Sequence, residues 1–162
     1  MVHCKSLGRN GGEEFNSSMQ WHKGIVLVLS LLPAANLQKT TPEMEGKKLQ
    51  GNWQVITLET NGKEVSPDDT DRLKVMITGN TMIFKGSTKN EEMTFMLDPS
   101  KKPKEIDLLN PDKTVGTFLG IYALEGGELK ICYGRKEKDR PGEFGTKSGD
   151  HRVYLLLRRE KK

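Results

Sequence analysis

From residue 49 onward, apolar and polar positions alternate with a period of two. Leu73, Val75 and Ile77 fall on one face of their segment, as do Met93, Phe95 and Leu97, and Leu129, Ile131 and Tyr133. That period belongs to strands with one buried face. The pattern predicts strands at 50–59, 73–79, 81–86, 92–98, 104–109, 115–124, 128–134 and 152–159. Between them stand Thr78-Gly79-Asn80, Asp98-Pro99-Ser100, Asn110-Pro111-Asp112 and Glu125-Gly126-Gly127, which supply the fixed or positive φ of tight turns. Only Ser66-Pro67-Asp68-Asp69 suggests a short helix, with Pro at its first turn.

Short antiparallel strands joined mostly by hairpins leave two edges exposed unless the sheet closes. The expected fold is therefore all-β: a single small eight-stranded antiparallel up-and-down barrel. A two-sheet sandwich is the competitor, but it needs crossover connections that these short links do not provide.

The first 35 residues read differently. The stretch 19–38, MQWHKGIVLVLSLLPAANLQ, has a short positive region at His22-Lys23 and an apolar run from Ile25 to Leu32. Pro33-Ala34-Ala35 follows, small enough for a signal peptidase. The run is too short to span a bilayer. The expected organisation is an N-terminal extension and export signal at 1–35, with Met19 as a possible start, then a polar tether at 36–46 and the barrel at 47–162. Cleavage near Ala35 would place the mature chain outside the cytoplasm, secreted or periplasmic.

Composition narrows the function classes. The 162 residues carry a formal net charge of +4, with Lys and Arg dispersed among nearly as many Asp and Glu. Nucleic-acid binders concentrate basic residues on one stripe, so nucleic acid is not an expected partner. The cysteines are Cys4 and Cys132; Cys132 sits in the apolar run LKICYG and reads as a small core residue. His151 is the one histidine after residue 35. Ser148, Asp150 and His151 are too close along the chain for a triad, and one His with one Cys does not make a zinc site. Asp68, Asp69 and Asp71 could gather around calcium, but SPDDTD lacks the glycine turn and distal glutamate of an EF-hand loop. No enzyme activity, metal or cofactor is expected.

Gly51-Asn52-Trp53 on the first strand, with Arg158-Arg159 on the last, looks like the structural signature of lipocalins and related calycin barrels. The wider pattern adds Glu59 with Asn61-Gly62-Lys63, LDPSKKPKEIDL (97–108), GIYALEGGELKICY (120–133) and RPGEF (140–144). In this order the blocks, covering about residues 47 to 161, resemble an uncharacterised lipocalin-like (calycin-like) domain family abundant in planctomycete bacteria. The resemblance implies a calycin-like barrel in an exported protein, with Trp53 as a plug under a basic side chain. It implies no catalytic mechanism.

Two functions are weighed. One is a binding module, monomeric, holding a small apolar ligand in or at the barrel mouth. The alternative is an interaction or inhibitor module that meets an envelope protein through the 134–152 loop. Within that loop Arg140, Glu143 and Phe144 are the candidate ligand-binding residues. Whether the interior is open or filled depends on which way the large side chains of the Leu73, Met93, Phe95, Phe118, Leu129 and Leu155 rows point.

Overall fold

The structure, a computed structural model, describes residues 40–161 except 71, 87–88, 113 and 135–138. The expected export segment, residues 36–39 of the expected tether and Asp71 lie outside the described residues. Helix α1 (Pro42–Leu49) precedes strand β1 (Gly51–Thr60), and a two-residue strand β2 (Lys63–Glu64) folds back on β1. A one-turn helix α2 (Pro67–Thr70) leads to β3 (Lys74–Thr78) and β4 (Thr81–Lys85). Then come β5 (Asn90–Asp98), β6 (Lys104–Leu109), β7 (Thr117–Glu125), β8 (Glu128–Gly134) and β9 (Arg152–Arg159).

All pairings are antiparallel and follow chain order, and β9 returns to β1 along Trp53↔Arg159 through Thr60↔Val153. This closure makes an eight-stranded up-and-down barrel with β2 as an extra strand, so the barrel itself has no open edge. Every expected strand forms, with ends shifted by at most two residues. The alternation sets the phase. Val75, Ile77, Met93, Phe95, Leu129, Ile131, Leu155 and Leu157 all point inward and are at most 5% exposed.

One expectation changes. Residues 42–46, read as tether, belong to α1. Thr41 caps the helix by accepting from the Met44 N–H, Pro42 opens it, and acidic Glu43 and Glu45 precede basic Lys47 and Lys48. The helix is mostly polar because only Leu49 and Glu45 are buried, which is why no apolar stripe marked it. Among the described residues no helix is long and apolar enough to cross a membrane.

Candidate functional site

The two ends of the barrel are built from different chemistry. At one end, β1 begins and β9 finishes, and α1 lies against both. Trp53 is fully buried there, and its indole N–H donates to the Leu49 carbonyl at 2.9 Å. The Arg159 guanidinium sits 4.2 Å from the ring centroid. Its two terminal nitrogens donate to the carbonyls of Gln50 and Lys48, groups at the C-terminal end of α1 that the helix itself cannot satisfy. Gly51 makes room for this. Its φ is +123°, and a Cβ there would lie 3.0 Å from Arg159 Nη1, so the glycine accommodates both the backbone and the guanidinium. Arg158 points the other way, to Glu128 at 3.0 Å on the exposed surface.

Glu45 completes this end. Its side chain is 1% exposed, and its carboxylate accepts from Lys48 at 2.7 Å, Lys104 at 2.9 Å and the Tyr122 hydroxyl at 3.4 Å. Burial opposes its ionisation, but the hydrogen bonds from the two ammonium groups outweigh that and hold the carboxyl below its ordinary value. Burial, reinforced by the Glu45 charge, pushes the Tyr122 phenol well above its ordinary range, so it stays a donor.

Among the described residues the other end carries no comparable seal. There β4 turns to β5, β6 connects to β7, and the long loop joins β8 to β9. A cavity of about 250 Å³ opens between β1, β3, β4, β5, β8 and β9. Its inner walls are apolar: Val55, Leu58, Leu73, Phe84, Met93 and Leu155. Lys89 and Glu91 stand at its rim, and these two, with Met93 and Tyr133, also border a second depression of about 570 Å³. Glu91 shares the inward phase of Met93 and Phe95, one repeat nearer the mouth. Phe118 and Tyr133 form a tilted ring pair at 5.8 Å and 38° beside them.

The candidates Arg140, Glu143 and Phe144 do not line this cavity. Arg140 lies on the outer wall, where it donates to the Gly120 carbonyl at 2.6 Å and pairs with Asp107 at 2.8 Å and Glu105 at 3.4 Å. It fastens the loop to β6 and β7. Glu143 pairs with Lys147 at 2.6 Å in solvent, and half-buried Phe144 stands outside the barrel core. A second fastening joins the loop to the β1–β2 turn: Gly62 N–H donates to Thr146 Oγ1 at 2.9 Å and Gly149 N–H to Asn61 Oδ1 at 2.6 Å.

Beneath the fastened loop Cys132 is fully buried and contacts the Gly145 carbonyl at 3.4 Å. Burial pushes its thiol pKa up, which leaves it a poor nucleophile. The Asp150 carboxylate accepts from the N–H groups of Lys147 and Arg152 beside His151, and is engaged as a turn cap. Among the described residues no three His, Cys, Asp or Glu side chains gather as metal ligands. Comparison with protein-family models, with curated proteins and with solved structures found no match in any of the three.

Of the mouth residues, the sequence pattern marks Leu73 only as a member of a possible inward row and does not single out Leu58, Phe84 or Lys89. The available signal was phase and position together: inward-phase residues at strand ends that adjoin the longer connections.

Proposed function

We propose that the protein is an exported binding module of lipocalin-like, calycin type that holds a small apolar ligand at the barrel mouth. The observation that carries this reading is the asymmetry of the ends: α1, Trp53 and Arg159 seal one, and an apolar cavity of about 250 Å³ opens at the other. Concave, mostly apolar sites with a few polar groups at the entrance are the usual form of small-molecule sites, and an eight-stranded barrel can hold one small ligand. The GxW signature and the ordered sequence blocks support the calycin assignment. Export rests on the 19–35 pattern, and N-terminal sequencing of the mature chain from envelope or culture fractions should begin near Asn36.

The alternative, a partner-binding loop, is weakened by what the loop does. Arg140 is committed to the barrel wall, and Glu143 is paired within the loop.

The test of the reading is binding of 1-naphthylamine, a neutral bicyclic fluorophore whose emission responds to apolar sites and whose size matches the cavity, to the full chain. Saturable binding should be lost in Leu73→Trp, which places an indole in the cavity wall while the far-UV circular dichroism is retained. Undiminished binding in that variant would remove the mouth as the site.

A further inference from the structure

The dimensions of the mouth define what it can take, given the binding role proposed above. Toward the sealed end the interior is solid: Trp53, Met82, Ile106, Leu108, Leu129 and Ile131 are all fully buried. The cavity therefore has a floor, formed by Val55, Val75 and Leu155, which are 2%, 1% and 3% exposed. Above it stand Leu58, Leu73 and Phe84, and then the rim.

A dry apolar cavity of about 150 Å³ accommodates benzene, a molecule of six carbons. Scaled to the roughly 250 Å³ available here, the space suits about ten non-hydrogen atoms. A long-chain lipid does not fit above that floor. The cavity lining carries both signs, Lys74, Lys85 and Lys89 with Glu91, and the adjoining depression adds Glu92 and Asp112. A carboxylate head would meet Lys89 but also these carboxylates, and an ammonium head would meet them but also Lys89. Like charges at that range cancel the gain. An uncharged hydroxyl can donate to the one and accept from the other.

We infer that the ligand is a short neutral amphiphile, with an apolar part of about ten non-hydrogen atoms seated on Val55 and Leu155 and a hydroxyl-class head between Lys89 and Glu91. The experiment is displacement of 1-naphthylamine from the full chain by straight-chain 1-alkanols from hexanol to dodecanol. Affinity should rise about fourfold per methylene and stop rising near ten carbons. Decanoate and decylamine should each compete several-fold more weakly than decanol. Leu155→Ala deepens the floor and should move the break about three carbons longer. A smaller rim change, Leu73→Phe, should move it shorter, and it decides the matter if Leu155→Ala does not fold. If the probe binds saturably but no alkanol displaces it, the short-amphiphile inference fails. If the probe itself finds no saturable site, the mouth reading fails first. Affinity that climbs unbroken to dodecanol leaves the mouth as a site and overturns the size limit. Tighter binding of decanoate or decylamine overturns the neutral head.

Discussion

Arg158 and Arg159 are adjacent, alike in sequence, and opposite in consequence. Arg159 makes two charged hydrogen bonds to the carbonyls of Lys48 and Gln50 and lies over Trp53. Hydrogen bonds to charged groups contribute about 1.5–3 kcal/mol each, and a cation over indole about 0.5–2 kcal/mol. These contributions share one side chain and one terminal nitrogen is solvent-accessible, so they do not sum. About 2–4 kcal/mol for Arg159→Met is the working value. Arg158, by contrast, is 61% exposed and pairs with a Glu128 that is 37% exposed; such pairs contribute at most about 1 kcal/mol.

Thermal unfolding of the two methionine variants followed by far-UV circular dichroism separates the cases, since dichroism reports the whole barrel. Arg159→Met should lower the melting temperature by roughly 8–16 °C, at about 4 °C per kcal/mol for a domain of this size. Arg158→Met should stay within about 4 °C of wild type. Arg159→Lys is the sharper variant. It keeps the charge but has no fork to span two carbonyls, so it should recover less than half of the loss. Equal effects at the two positions, or full rescue by lysine, would refute the account of the sealed end.

Three further outcomes follow from the same geometry. Glu45→Gln should cost about 2 kcal/mol at pH 7. Because the folded carboxyl is held below its ordinary value of 4.5, its stabilisation is present above that value and is lost as pH falls through the folded one; urea midpoints of wild type and variant should draw together as the pH is taken progressively below 4.5. Gly51→Ala forces a Cβ into a backbone with φ +123° and to 3.0 Å from Arg159 Nη1, and a loss of about 1–3 kcal/mol is expected in the same assay. Arg140→Ala releases the loop that covers Cys132, so in a Cys4→Ser background the Cys132 thiol should react with an aromatic disulfide reagent at least about tenfold faster than with Arg140 present. An unchanged rate would show that the loop is held without Arg140.

The barrel was legible because its code is local. Period-two alternation fixes which side chains face inward, and glycine, proline and asparagine mark where each strand stops. The pairing order then follows from short links. Helix α1 was not legible for the converse reason. PEMEGKKL has no apolar stripe, and its buried polar residue, Glu45, is compensated by Lys48 nearby but also by Lys104 and Tyr122, which lie 59 and 77 residues away. No local pattern reports a charge neutralised at that range. The loop candidates failed similarly. Arg140-Pro141-Gly142-Glu143-Phe144 stands out as a string, yet Arg140 finds its partners on the outer face of β6 and β7. A distinctive block in a long loop signals that something holds it, and here the barrel does.

The distribution of polar interactions along the barrel axis also bears on where a ligand can act. Fixed charges, a helix cap and a fully buried indole gather at the sealed end, where each polar group has a protein partner. At the mouth Lys89 and Glu91 are exposed, and half-buried Leu58, Leu73 and Phe84 line the cavity without closing it. Apolar surface left accessible in a concavity is surface whose burial is still available to drive binding. The sealed end supplies the rigidity that keeps the concavity from collapsing, because Trp53, Arg159 and α1 fix the ends of β1 and β9, the two strands whose pairing closes the barrel. On the proposed binding role, stability and binding fall to opposite ends, and changes at Arg159 should alter folding without altering the size of probe the mouth accepts.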